Sequence, residues 1–151
     1  WTKDPNMVVT GCEDGGLRLW DLRAGEVVRC VELGPCIADL DLSRDNSVLA
    51  VANSNIVRFF DMSRPGNLSM LAEHTCKLDV KSVSIHPDNS QFITAGTDLW
   101  VYVWDYETKE EVAVKKGHHG PVHFVAWDTT GSSFASGADD ATLRLWKVVT
   151  E

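Results

Sequence analysis

The chain has 151 residues and a formal net charge of −8, with 14 lysines and arginines against 22 aspartates and glutamates. Phosphate binding needs clustered cations, which this sequence lacks, so nucleic acid is not expected as a direct partner. No apolar run approaches the roughly 20 residues that span a bilayer, so a membrane partner is not expected either. The four cysteines are scattered without a Cys-x-x-Cys pair, which predicts free thiols and a cytoplasmic location.

The predicted elements are short strands throughout, because brief alternating apolar runs are bounded by turn residues and helix-period stripes are absent. The runs fall into four groups, and the first group lacks most of its opening strand. In chain order, strands are expected at 7–10, 17–20 and 27–31; at 37–42, 48–52, 56–60 and 68–71; at 80–85, 92–96, 100–104 and 111–114; and at 122–127, 134–137 and 142–146.

One strand in each group ends in almost the same way, and the spacing of these endings defines a repeat. From Trp20 to Phe60, Trp104 and Trp146, the steps are 40, 44 and 42 residues. A repeat of this length that ends in Trp-Asp is typical of a β-propeller blade. Because Trp1 falls where a strand should be ending, we expect the chain to be part of a longer one. We predict an all-β partial propeller of about three and a half four-stranded blades, with a partial repeat at 1–31, a degenerate repeat at 32–73, a full repeat at 74–115 and a last repeat without its outer strand at 116–151.

A set of polar residues recurs at fixed offsets before the repeated tryptophan. In the last repeat it consists of His118, Ser136, Asp140 and Trp146. We predict a hydrogen-bonded chain from the aspartate through the histidine and the hydroxyl to the indole, because each of these groups is costly to bury unpaired. A serine hydrolase is the alternative, but no Gly-x-Ser-x-Gly elbow is present and a catalytic site is normally made once. Parts of the set recur as Thr94, Asp98 and Trp104 in the third repeat and as Thr10, Asp14 and Trp20 in the first.

The second repeat departs from this pattern. Ala50 stands at the hydroxyl position, Ser54 at the aspartate position and Phe60 at the tryptophan position. Apolar packing must therefore hold this repeat together, and we expect it to be the place with the loosest structure. The residues predicted to supply the packing are Val48, Val51, Ile56, Val57 and Phe59.

Candidate partner-binding residues lie in the tight turns and in the loops that enter the first strands. Together they form a mixed but mainly acidic face that suits basic partner segments. Trp100 is a possible aromatic anchor, with packing against the next blade as the alternative. The other residues of this set are Glu13, Asn53, Thr97 and Asp139, each one position before the aspartate position, and His74, Lys77 and His119 in the loops.

The remaining histidines and tryptophans form two further groups of residues. His118, His119 and His123 could be metal ligands, but no thiolate or carboxylate completes a site, so neither a metal nor a cofactor is expected. Trp1, Trp20 and Trp127 are predicted to lie in the core of the blade stack.

These residues resemble the WD-repeat family over essentially the whole chain, most strongly at Gly117-His118, Ser136-Gly137, Asp140 and 143–146. Within it, residues 103–111, 116–123 and 134–146 are similar to adaptors associated with serine-threonine kinase receptors, and the degenerate repeat near Phe60 also fits them. The i subunits of translation initiation factor three are the alternative. The resemblance implies a propeller of about seven blades and a cytosolic adaptor that is also found in the nucleus. It implies protein partners in type I TGF-β receptor and Smad signalling, and in the survival-of-motor-neurons complex of mRNA splicing.

Three classes of function follow from the sequence. The leading hypothesis is a non-enzymatic scaffold within a multi-subunit protein complex. The second is an enzyme, for which no activated nucleophile or acid–base pair emerges. The third is self-assembly, since uncovered blade faces favour pairing of two copies as a symmetric homodimer.

Overall fold

The computed structural model describes residues 1–34 and 36–148, and none of these residues is helical. They form short antiparallel strands, which confirms the predicted all-β fold. Because no helix is present in this part of the chain, none is long and apolar enough to cross a membrane. The strands are β1 (Met7–Gly11), β2 (Gly16–Asp21), β3 (Glu26–Glu32), β4 (Ile37–Leu42), β5 (Val48–Asn53), β6 (Ile56–Asp61), β7 (Ser69–Thr75), β8 (Val80–Ile85), β9 (Gln91–Gly96), β10 (Trp100–Asp105), β11 (Glu111–Lys116), β12 (Val122–Trp127), β13 (Ser133–Ala138) and β14 (Leu143–Lys147).

Each sheet is a meander of consecutive strands, as expected for the blades of a partial propeller. Blade 1 consists of β1–β3, blade 2 of β4–β7, blade 3 of β8–β11 and blade 4 of β12–β14. The outer strands β3, β7 and β11 run to residues 32, 75 and 116, one or two residues past the predicted repeat ends at 31, 73 and 115. The outer strands extend further because Glu32, Thr75 and Lys116 stay paired with the start of the neighbouring strand.

Neighbouring blades pack face to face through separate apolar cores. Leu19 of blade 1 shares a core with Val51 of blade 2. Phe59 of blade 2 meets Phe92 of blade 3, with ring centroids 5.0 Å apart. The core between blades 3 and 4 contains Val101, among others. Burying a side chain of this size is worth about 2 kcal/mol, so the stability of each blade depends on its neighbours.

The second blade is held by apolar packing, as predicted. All six residues of β5 are buried, and Val57 and Phe59 are fully inaccessible. Of the residues expected to supply this packing, only Ile56 is half-buried. Looser structure in this blade stays a prediction, and the burial along β5 weighs against it.

The predicted core position of Trp1 is wrong, because its side chain is 76% exposed. The residues around it form a turn, in which the Thr2 amide donates to the Met7 carbonyl at 3.1 Å. Trp1 lines a cavity beside Leu40 and Leu49 and does not fill the stack. Trp20 and Trp127 are half-buried. The Trp127 ring lies 5.1 Å from that of Phe134.

The first strands of neighbouring blades are tied by side chains that bond across the gap between sheets. Asp39 of β4 accepts the hydroxyl of Ser82 at 2.6 Å, and the Ser82 oxygen in turn accepts the amide of Val125 at 3.1 Å. Asp41 accepts the amide of Ile85 at 2.7 Å. Burial raises the pKa of Asp41. These bonds fix the relative orientation of blades 2, 3 and 4.

Antiparallel connections alternate between the two ends of each sheet, so the molecule has two distinct faces. The turns between second and third strands share one end with the loops that enter the first strands. We call this end the tight-turn face; it contains residues 12–15, 54–55, 97–99 and 139–142 and the loops 76–79 and 117–121. The other end is the opposite face.

Candidate protein-interaction face

Blade 4 contains a continuous chain of hydrogen bonds beneath the tight-turn face. The Trp146 indole donates to the Ser136 oxygen at 2.8 Å. The Ser136 oxygen lies 2.7 Å from Nε2 of His118, and Nδ1 of His118 lies 3.3 Å from the Asp140 carboxylate. Every member is satisfied if the serine donates to Nε2 and the histidine Nδ1–H donates to Asp140. The chain joins strands β13 and β14 to the loop before β12.

Asp140 also holds two backbone amides of the tight-turn face. It accepts the amide of His119 at 2.9 Å and the amide of Thr142 at 3.0 Å. The bond from the His119 amide, followed by that from the Thr142 hydroxyl, holds the pKa of Asp140 well below its usual range. Asp140 therefore stays ionised at neutral pH and fixes both the turn and the loop.

Blades 1 and 3 contain only part of this chain. The Trp104 indole donates to Thr94 at 2.8 Å, and the Trp20 indole donates to Thr10 at 2.9 Å. In blade 1, Asp14 instead accepts the amide of its own turn at Gly16 and pairs with Arg18 at 3.2 Å. In blade 3, Asp98 bonds the Tyr102 hydroxyl, and burial followed by this bond raises the pKa of Tyr102.

Cys76 occupies the histidine position of blade 3 and is not among the site residues predicted from the sequence. Cys76 precedes Thr94 by 18 residues, as His118 precedes Ser136, and this offset is visible in the sequence. The thiol is smaller than an imidazole, and a cavity of about 20 Å³ lies beside it. Burial raises the pKa of Cys76 to about 11. The thiol is therefore neutral at neutral pH, and it forms a hydrogen bond with Thr94 in the place of the histidine.

The structure presents three of the four predicted turn residues to solvent. Glu13, Thr97 and Asp139 are exposed. Asn53 is only 4% exposed, so the prediction that it contacts partners is wrong. It is the last residue of β5 and pairs directly with Ile56, because the turn of blade 2 contains only two residues. Its side chain donates to the Gly34 carbonyl at 3.1 Å.

The loop residues divide in the same way. Lys77 and His119 are exposed. His74 belongs to β7 rather than to a loop, and its ring packs 4.3 Å from that of Trp104. Its predicted place in a loop is therefore wrong, whereas contact of this half-buried side chain with a partner stays a prediction. Burial lowers the pKa of His74.

Trp100 remains accessible at the edge of the tight-turn face. Its side chain is 37% exposed. The ring lies 4.0 Å from Nζ of Lys116, its cross-strand partner, and 6.3 Å from the ring of Tyr102. Both of these contacts lie within its own blade, and its role as an anchor for a partner stays a prediction.

Acidic side chains predominate among the exposed groups of this face, which include Glu13, Asp79 and Asp139. Asp139 accepts from Nε2 of His123 at 2.9 Å. His118 is engaged in the buried chain. Within the described residues, no group of three or more histidines, cysteines or carboxylates is arranged to hold a metal ion.

A model of the WD domain, G-beta repeat, matches residues 1–21, 66–105 and 109–147. The chain therefore belongs to the WD-repeat family. The matched segments end at the strand endings of blades 1, 3 and 4, and the unmatched residues contain most of blade 2, in which Ala50 and Phe60 replace the hydroxyl and the tryptophan.

Comparison with curated proteins confirms the narrower resemblance. The serine-threonine kinase receptor-associated protein of Dictyostelium discoideum is 42% identical over 132 residues, covering 87% of this chain and 43% of that protein. The human protein of the same name is 26% identical over 149 residues, covering 99% of this chain and 41% of that protein. Eukaryotic translation initiation factor 3 subunit I of Bombyx mori is 29% identical over 161 residues, covering 96% of this chain and 48% of that protein. The chain thus spans less than half the length of these relatives.

Proposed function

We propose that this chain is part of a non-enzymatic scaffold that binds other proteins through its tight-turn face. The observation that carries the proposal is the buried chain of blade 4, which anchors the turn while leaving Asp139 and His119 exposed above it. A rigid turn presents side chains to a partner at little entropic cost. The acidic character of the face favours basic partner segments.

The geometry of Ser136 argues against the hydrolase alternative. Its side chain is fully buried and contacts both the His118 ring and the Trp146 indole. A nucleophile must be open to substrate, and this hydroxyl has no exposed approach. We therefore expect no labelling of the protein by a fluorophosphonate serine probe, and labelling at Ser136 would refute the scaffold proposal.

The particular scaffold that we propose is an adaptor associated with serine-threonine kinase receptors. The name and the similarity of the Dictyostelium relative support this assignment. We extend the proposal to TGF-β receptor and Smad signalling and to the survival-of-motor-neurons complex, with roles in mRNA processing and splicing in cytoplasm and nucleus. The alternative is a subunit of translation initiation factor three, which the 29% identity to the Bombyx protein supports.

The test is affinity capture of the full-length protein from cytosol, with its companions identified by mass spectrometry. Recovery of receptor or survival-of-motor-neurons components would support the proposed adaptor. Recovery of initiation-factor subunits would instead support the assignment to translation initiation factor three. Absence of any specific companion would contradict the scaffold proposal.

A further inference from the structure

A groove lies between blades 1 and 2 on the opposite face, away from the tight turns. One wall is the turn at residues 2–4, and the other is the loop at 62–66 that follows β6. The cavity between them has a volume of about 250 Å³. A second cavity of about 340 Å³ borders the same loop and extends to Arg29. Clefts of several hundred Å³ are the size at which proteins bind ligands and side chains of partners. We call this feature the interblade groove.

The floor of the interblade groove is apolar. It is made by Met7, Leu19 and Met62, whose side chains belong to the core between blades 1 and 2. An apolar side chain placed over them would release water from a concave apolar surface, which is favourable. Methionine side chains also adapt to guests of different shape.

The walls of the groove are held by hydrogen bonds. Asp61 accepts the amide of Ser63 at 2.8 Å and the side-chain amide of Asn67 at 2.7 Å. Arg29 of blade 1 donates to the Gly66 carbonyl at 3.2 Å, which ties the loop to the neighbouring blade. The groove is therefore formed before any ligand enters, and binding does not have to order the loop.

The rim of the groove carries two exposed cations that form no short ion pair with a described carboxylate. Lys3 and Arg64 are exposed, and neither forms an ion pair with a described residue. Two carboxylates lie beside them: Asp61, which accepts hydrogen bonds from its own turn and whose pKa is lowered in part by the charge of Arg64, and Asp4, which pairs with Arg23 at 3.9 Å. The charged residues that line the two cavities are Lys3, Arg29 and Arg64 against Asp4 and Asp61, so the groove carries a small excess of positive charge although the chain carries a net charge of −8.

We propose that the interblade groove binds an extended segment of a partner protein in which large apolar side chains are flanked by acidic residues. An apolar side chain fills the cavity over Met7 and Met62, and the flanking carboxylates pair with Lys3 and Arg64. An arginine at this position suits a carboxylate because its planar N–H groups bind two oxygens at once. The tight-turn face favours basic segments, so one scaffold holds two partners of opposite charge on its two faces.

Fluorescence anisotropy with labelled hexapeptides tests the proposal on the full-length protein. The probe is Ser-Asp-Leu-Phe-Asp-Ser, and the matched controls are Ser-Asn-Leu-Phe-Asn-Ser and Ser-Asp-Ser-Ser-Asp-Ser. We expect the probe to bind at least about tenfold more tightly than either control, since each control lacks one of the two recognition elements. Equal binding of all three peptides, or no binding of the probe at millimolar concentration, would overturn the proposal.

Protein variants locate the binding. Arg64→Glu should weaken the probe about tenfold or more, whereas Lys147→Glu, an equal charge change on exposed β14, should leave it unchanged. Ser63→Trp should fill the groove from its wall and block binding without removing a core atom. Thermal melting verifies that the variants are folded. If the probe bound the Arg64 and Ser63 variants as tightly as the unmodified protein, the interblade groove would not be its binding site. Partner capture through the tight-turn face does not depend on this result, so the two proposals fail separately.

Discussion

Ser136 is the residue on which the polar chain of blade 4 depends, because it contacts both the Trp146 indole and the His118 ring. Its side chain is fully buried, so no water replaces it when it is removed. The equivalent contact of blade 1, from the Trp20 indole to Thr10, is exposed to solvent. The same pair of groups therefore contributes differently to stability in the two blades.

We predict that Ser136→Ala lowers the free energy of unfolding by about 2 kcal/mol, because it leaves two buried polar groups unpaired. Thr10→Ala is the matched control and should cost about 0.5 kcal/mol or less, since water can satisfy the Trp20 indole. Urea unfolding of both variants measures the difference. Equal losses of stability in the two variants would mean that the buried hydrogen bonds of Ser136 contribute no more than the exposed bond of Thr10.

The four cysteines predict a second residue-scale result. All four are free, and Cys12, Cys30 and Cys36 are exposed whereas Cys76 is buried. Because burial raises the pKa of Cys76 to about 11, its thiolate is scarce at pH 8, and we expect it to react at least about 100-fold more slowly with a disulfide reagent. Cys76→Ser should remove the slowest phase and leave the three exposed thiols, of which Cys30 reacts more slowly than the others because its bond to Glu32 raises its pKa. Four equally fast thiols would show that blade 3 opens readily.

At the scale of the element, the blades differ in how the tight turn is fixed. In blade 4 Asp140 ties the turn to the loop before β12. In blade 1 Asp14 bonds only within its own turn and to Arg18. In blade 2 the turn is shortened to two residues, and strand pairing closes at Asn53 and Ile56. Equivalent turns therefore differ in their dependence on a carboxylate.

We predict that Asp140→Ala lowers the melting temperature of the protein by a few degrees at pH 7, whereas Asp139→Ala, at the exposed neighbouring position, does not. The effect should depend on pH. The folded-state pKa of Asp140 lies below its usual value, so its stabilisation is fully present above the unfolded pKa of about 3.9 and is lost as the pH falls below it. Calorimetry at pH 7 and pH 3 measures both effects. An unchanged melting temperature at pH 7 would refute the network.

At the scale of the whole molecule, stability comes from contacts between neighbouring blades, and an outward blade face has no such contact. On β14, Leu143 and Leu145 are 69% and 77% exposed, whereas the equivalent Val101 and Val103 of β10 are buried against blade 4. Phe124 of β12 is 50% exposed. Contiguous apolar surface of this kind marks a contact surface.

We therefore predict that the isolated 151-residue chain self-associates, with a symmetric dimer as the simplest closed form. Replacing Leu143 and Leu145 with lysine should shift the solution mass toward that of a monomer, because like charges would face each other across the contact. Analytical ultracentrifugation over a range of concentrations measures this. A monomeric mass of the unmodified chain at high concentration would contradict the prediction.

Strand positions were predictable from the sequence, because alternation and turn residues act over a few positions and each repeat supports the next. The burial of Asn53 was not predictable from the sequence, because it depends on the length of the turn at residues 54–55. That turn contains no glycine that would have marked it. The packing of His74 and the exposure of Trp1 depend on the neighbouring blade and on a local turn. The position of Cys76 in the polar set was not predicted, because a thiol is not an expected substitute for a histidine. Its spacing from Thr94 nevertheless marks that position in the sequence.

The measurement that tests the scaffold account most directly is partner capture by the full-length protein carrying Glu13→Lys and Asp139→Lys together. Both residues are exposed on the tight-turn face, and Glu107→Lys with Glu110→Lys reverses the same number of exposed charges on the opposite face. Quantitative mass spectrometry compares the captured proteins. The account predicts that the first pair reduces capture by at least about fivefold and the second pair does not. Intact capture by the first pair would contradict the account and place the interface elsewhere, on the outer strands.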